Sequence, residues 1–218
     1  MERYLHLDSV NIGKPTLLRN GRLERHTGIY KRSVSGPIRV TRLGLQGDAV
    51  LEKEYHGGPG QALYLYSTDD YAWWAEKGVA VVPGIFGENI TVSGVQTANL
   101  CIGDRLATGA LELEVSASRT PCATLAARMG DPGFVRKFRD AGRPGAYLRV
   151  LKEGTVEAGL DLVLMPFEGD RVTLGEHFAL TFSAMKSPLS RQVVERLLAL
   201  PLSERERDDN LERLRNLG

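Results

Sequence analysis

The chain has 218 residues, 42% of them hydrophobic and 25% charged, a composition that suits one full hydrophobic core and excludes disordered and fibrous classes. Its 28 basic and 27 acidic residues leave a formal charge of +1, so nothing electrostatic points to duplex nucleic acid. Two cysteines and four scattered histidines exclude a disulfide scaffold, a zinc knuckle and an HExxH site.

No apolar run approaches the roughly 20 residues needed to span a bilayer. No cationic segment leads into an apolar stretch at the N-terminus either. The expectation is a cytoplasmic protein with reduced thiols and no membrane contact.

In chain order, Ile38 to Leu43 and Ala62 to Tyr66 have strand character. Ser67 with Asp70 predicts a capping box that opens a helix through Tyr71, Trp73 and Trp74, stopped by Gly78. Leu111 to Ser116 alternates apolar and polar residues, the pattern of a strand with one buried face. Asp131-Pro132 predicts an N-cap and first helical position, followed by Phe134, Val135, Phe138 and Ala141 and ended by Gly142. Ala146 to Leu151 runs into Lys152-Glu153-Gly154 and resumes at Val156, which predicts a hairpin. Irregularly spaced strands, glycine turns and occasional helices predict a mainly β fold with helices, a mostly antiparallel barrel.

After about residue 170 the pattern becomes helical, over Leu174 to Phe182, Ser190 to Ala199 and from Ser203 onward. Pro188 and Pro201 mark the breaks. Ser203 with Glu206 predicts a second capping box, and Glu204-Arg205-Glu206-Arg207 reads as a solvated face. The organisation expected is a barrel domain over 1–169 and a three-helix extension over 170–218 docked on it.

Cys122 leads the candidates for chemistry. It follows Ser118-Arg119-Thr120-Pro121, just past the strand at 111–116, and proline turns a chain out of a central strand. Arg119 beside the sulfur would favour the thiolate, the form that attacks or binds metal. The competing reading is a buried small hydrophobe, which also suits Cys101 between Leu100 and Ile102. Tyr55-His56-Gly57-Gly58-Pro59 can bring backbone close to a ligand, or is a tight loop with an incidental histidine. Pro83 to Ile90 sets glycines, Glu88 and Asn89 before a strand, where they line a polar pocket or hold their own turn. Lys31 and Arg39 would add positive charge if both face one mouth.

Six short motifs occur in order. They are Gly44-Leu45-Gln46-Gly47-Asp48, His56-Gly57-Gly58-Pro59, Phe86-Gly87-Glu88-Asn89, Ile102-Gly103-Asp104, Arg119-Thr120-Pro121-Cys122 and Gly145-Ala146-Tyr147-Leu148-Arg149-Val150. This succession resembles a MOSC domain, the module named after the C-terminal part of molybdenum cofactor sulfurases. The helical tail resembles the extension of the bacterial YiiM-type branch. The resemblance implies a β-barrel that binds molybdopterin-coordinated molybdenum, with Cys122 as metal ligand and catalytic centre. It also implies a cofactor pocket that includes Lys31 and Thr41, which match a lysine–threonine pair of that branch. His56, Asn89 and Arg119 would join them in holding the cofactor. In one respect the chain departs from the family: a Gly-Asp pair before the closing strand reads here Ala158-Gly159-Leu160-Asp161.

The activity implied is reduction of N-hydroxylated compounds, N-hydroxylated purines among them, which would detoxify such bases. The chain shows no flavin, nicotinamide or iron–sulfur fingerprint, so electrons would come from a separate flavoprotein or ferredoxin-like reductase. Three alternatives from other classes are a cofactor or sulfur carrier that performs no reduction, a cysteine-nucleophile enzyme, for which no histidine is near Cys122 in sequence, and a structural or regulatory binding module.

Overall fold

The computed structural model describes residues 3–20, 23–51 and 57–217, and among these it forms thirteen strands and six α-helices. The strands are β1 (Arg3–Gly13), β2 (Thr16–Asn20), β3 (Leu23–Thr27), β4 (Lys31–Val34), β5 (Ile38–Thr41), β6 (Gly44–Leu45), β7 (Leu63–Ser67), β8 (Ile90–Ser93), β9 (Arg105–Thr108), β10 (Leu111–Ser118), β11 (Ala146–Lys152), β12 (Gly154–Val156) and β13 (Asp161–Met165). The helices are α1 (Thr68–Glu76), α2 (Ala123–Arg128), α3 (Phe134–Ala141), α4 (Leu174–Ala184), α5 (Arg191–Leu198) and α6 (Glu204–Asn216).

Seven strands close a barrel in the order β1-β13-β9-β10-β11-β7-β8 and back to β1. Its pairings are antiparallel except that of β7 with β8. The 11-residue β1 is long enough to pair β13 at its start, β8 in its middle and β4 at its end. The changed Gly-Asp position does not prevent closure: β13 begins at Asp161, which lies opposite His6 and accepts from its Nδ1 at 2.9 Å.

Alternation explains the barrel interior. Leu111, Leu113, Val115 and Ala117 of β10 are all buried, with Leu63, Leu65, Ile90, Val92, Leu106 and Leu148 from neighbouring strands. Each fully buried leucine contributes roughly 1.5–3 kcal/mol. The other face of β10 is covered too, against the simple one-face expectation. Glu114 is buried between Arg105 and Arg149, each 3.3 Å away, and Ser116 Oγ donates to Gly60 O. The same hydrophobic cluster continues into the tail through Val172, Leu174, Leu197, Leu200 and Leu202. A second, aromatic cluster joins Tyr66, Trp74, Phe86, Phe134 and Phe138 on the far side of β7.

Several local expectations need correction. The turn at Lys152–Gly154 does not make a hairpin, because β12 pairs β5 in a separate three-stranded sheet. Gly154 permits that exit: a Cβ there would lie 2.7 Å from Leu111 N. Ser67 does cap α1, but Asp70 does not complete a capping box. Its carboxylate is buried and accepts from Thr97 N and Oγ1 and from Arg143. Ser203 likewise caps α6 while its own N–H donates to Ser116 O, so Glu206 turns to His177 instead. Helix α3 starts two residues later than expected, since Asp131 Oδ1 accepts from Gly133 N in a preceding turn.

Candidate functional site

The site begins where β10 leaves the barrel. Thr120 and Pro121 turn the chain, and Cys122 becomes the N-cap residue of α2, half-buried at a cavity of about 100 Å³. One wall of the cavity comes from Thr27 to Ile29 and Lys31, another from Ala49 to Leu51 with Gly57 and Gln61. Tyr64, Tyr147 and Arg119 form the inner surface, with Gly87, Asn89 and Thr124 beside them.

Arg119 is buried behind the cysteine. Its Nη1 donates to Phe86 O, and its guanidinium lies over the Tyr64 ring, 4.6 Å from the centroid. Burial opposes its charge, but Tyr64, Tyr147 and Cys122 beside it prevail and push its pKa up. The Phe86 carbonyl that anchors it belongs to a loop wrapped on the fully buried Glu88. That carboxylate accepts from Tyr71 Oη, from Gly84 N at 2.5 Å, from Phe86 N at 3.2 Å and from Thr91 Oγ1 at 3.2 Å. Burial pushes Glu88 up, and these donors oppose it. The loop packs closely: Gly84 has φ +85, and a Cβ there would lie 2.7 Å from Lys31 O.

On the opposite wall Lys31 Nζ lies 2.6 Å from both carboxylate oxygens of Asp48. Asp48 also accepts from Gly13 N at 2.7 Å and Asn89 Nδ2 at 2.8 Å. Asn89 Oδ1 in turn accepts from Tyr64 N at 3.2 Å. One carboxylate therefore ties the ends of β1, β4 and β8 together. Burial lowers the Lys31 pKa, and Asp48 only partly restores it. Tyr64 and Tyr147 are pushed up by burial and remain neutral phenols, with Tyr64 Oη donating to Pro144 O at 2.9 Å.

Of the residues expected at the site, Cys122, Lys31, Asn89 and Arg119 line this cavity together. Thr41 does not. Its hydroxyl donates to Gly44 O and accepts from Leu43 N, holding its own turn in the sheet of β5, β6 and β12. Arg39 does not either; it reaches Glu153 at 3.4 Å on the surface. His56 lies outside the described residues. Cys101 is buried and bridges Thr173. Sequence reasoning missed Asp48, Tyr64, Tyr147 and Thr124 as site residues, although Asp48 and Tyr147 stood within the motifs. Among the described residues no histidine lines the cavity. His177 sits apart, buried, with Nδ1 at 2.8 Å from Ser118 Oγ.

Residues 52–163 match the model of the MOSC domain. The chain belongs to the MOSC family. It is similar to the Escherichia coli protein YiiM, with 32% identity over 177 residues, 79% of this chain and 77% of that protein. A Gibberella moniliformis protein named "Reductase" is 31% identical over 179 residues, 75% of this chain but only 32% of that longer protein. The crystal structure of YiiM from Geobacillus stearothermophilus superposes with a TM-score of 0.79 at 26% identity, covering 96% of this chain and 99% of that one. The chain is thus a MOSC protein of the YiiM type. The matched MOSC span carries Tyr64, Asn89, Arg119, Cys122 and Tyr147, while Lys31, held by Asp48 behind it, precedes that span and also lines the cavity. Among the described residues no helix is long and apolar enough to cross a membrane.

Proposed function

We propose that this MOSC protein is a molybdenum cofactor-dependent reductase of N-hydroxylated compounds, N-hydroxylated purines among them. Cys122 carries the reading: one thiol at the mouth of a cavity, beside a buried arginine, inside a MOSC domain. The donor set suits such a group. Among the described residues no three His, Cys, Asp or Glu side chains gather into a metal site, and a metal that brings ligands of its own suits a single thiol. Molybdopterin provides them, and a single soft thiolate completes the set.

When bound, the cofactor supplies the two electrons that convert an N–OH group to N–H and water. Cys122 ligates the metal, and the Arg119 charge favours its thiolate form. Lys31 has one ammonium N–H beyond its two bonds to Asp48 for the pterin edge or its phosphate, Asn89 holds that Asp48 in place, and Tyr64 and Tyr147 give the cavity its apolar ring faces. The reduction also consumes protons. Lys31 is suited to release one into the cavity, since burial lowers its pKa. Electrons arrive from a separate flavoprotein or ferredoxin-like reductase in the cytoplasm.

The relative named "Reductase" supports the reaction class. The test is a reconstituted assay with cofactor-loaded protein, an electron-donor chain and an N-hydroxylated purine, following amine formation. The wild type should turn over and Cys122→Ala should not. Equal turnover in both would refute the proposal.

A further inference from the structure

The cations that face the cavity are already engaged: Lys31 by Asp48 and Arg119 by Phe86 O and the Tyr64 ring. Arg128 differs. It lies one helical turn beyond the cavity-lining Thr124 on α2, and residues four apart share a helix face. Its guanidinium sits over the Tyr30 ring at 4.6 Å from the centroid, and Tyr30 stands between the cavity residues Ile29 and Lys31. Its Nε is buried without a hydrogen-bond partner, and among the described residues Arg128 makes no ion pair. A guanidinium held by stacking next to the cavity wall, with no ion pair among the described residues, matches a phosphate or carboxylate. Thr124 adds a hydroxyl on the same face. That hydroxyl accepts from Arg25 Nη2, which brings a second guanidinium to the same point.

We infer that Arg128, with Thr124 on the same helix face, forms an anion subsite beside the cavity, which takes a phosphate carried by the substrate. The inference rests on the reductase reading and narrows it: the preferred substrate class is an N-hydroxylated nucleotide rather than the free base. The tetrahedral phosphate suits a guanidinium fork backed by a hydroxyl better than a flat neutral ring does. With the cofactor in the cavity, the base meets it from outside while the Arg128 guanidinium holds its anionic arm.

Two measurements test this on the full chain. In the reconstituted assay, kcat/KM is compared for an N-hydroxylated nucleoside and its 5′-monophosphate. The monophosphate should be preferred, and R128Q should reduce that preference about tenfold, the size of one charge-assisted hydrogen bond. R128K keeps the charge without the fork and should retain part of it, and thermal melting confirms that both variants fold. A monophosphate-to-nucleoside ratio that is the same in wild type and R128Q overturns the subsite. The second measurement needs no turnover: calorimetric binding of adenosine 5′-monophosphate against adenosine, in wild type and R128Q. Arg128-dependent binding of the monophosphate without any N–OH reduction would sustain the subsite and sink the reductase reading. Loss of released pterin from R128Q would assign the anion site to the cofactor and overturn the inference.

Discussion

Asp48→Asn keeps the shape of the residue that ties Lys31, Asn89 and Gly13 together behind the cavity wall and removes its charge. In the native chain both carboxylate oxygens lie 2.6 Å from Lys31 Nζ, and the two side chains are only 7% and 5% exposed. Removing one partner of a buried pair costs about 3–5 kcal/mol, because the other charge is left in low dielectric. Lys31 has a partial escape, since burial already lowers its pKa and it can shed its proton. The lower end, about 3 kcal/mol, is therefore expected near pH 7. For a chain of this size that is a fall in Tm of about 6–12 °C. The sign with pH follows from the lowered lysine pKa: a neutral Lys31 is favoured in the fold, so the variant regains stability as pH rises toward the ordinary lysine value of 10.5. The assay is urea unfolding of wild type, Asp48→Asn, Lys31→Met and the double variant. A coupling of about 2 kcal/mol is expected between the two sites. Additivity within about 0.5 kcal/mol would show that the pair is not buried and bonded as described.

Three further outcomes follow from the same structure. Burial, with Arg213 adding to it, lowers His177 from 6.5 to about 4. Its contribution is full above pH 6.5 and is lost as pH falls toward 4, about 3 kcal/mol in all. Ser118 faces its Nδ1 from β10, and from α6 Glu206 lies 3.6 Å from its Nε2, with a carboxyl raised by burial that offsets part of the loss on acidification. His177→Gln should flatten the fall in urea midpoint between pH 7 and 4.5, and an unchanged slope would contradict the burial argument. Thr41→Val removes two turn hydrogen bonds and should lower stability by about 1 kcal/mol, while pterin content measured by fluorescence stays at the wild-type level. Removing residues 170–218 uncovers the barrel-facing partners of Leu174, Leu197 and Leu202. The truncated chain should aggregate or bind a hydrophobic dye, and a monomeric product with native-like cooperative melting would show that the barrel core stands alone.

Local signals were legible in the sequence where local physics decides. Ser67 and Ser203 each cap a helix, as expected, because an N-cap needs only its own next few N–H groups. The alternation of β10 showed its inward face because side chains in a strand point to opposite sides. The reciprocal halves of the capping boxes were not legible. Asp70 accepts from Arg143, 73 residues away, and Glu206 packs toward His177 on another helix, and a distant buried partner outweighs a local exposed one. The site divides in the same way. Pro121 and the end of β10 announced the turn that presents Cys122, with Arg119 next to it. The Lys31–Asp48 pair is 17 residues apart and meets only because β1, β4 and the loop at Ala49 converge on Gly13. Thr41 illustrates the limit of spacing: its distance from Lys31 along the chain is right, but β4 joins the barrel and β5 joins another sheet.

The central claim is that one sulfur holds a metal which arrives with its own ligands. The direct measurement is molybdenum and pterin content of the protein purified from cells that make the cofactor, for wild type and Cys122→Ser. Stoichiometric molybdenum in the wild type and loss of it from the folded variant is the predicted result. Equal molybdenum in both, or pterin-bound metal retained without the thiol, would contradict the account.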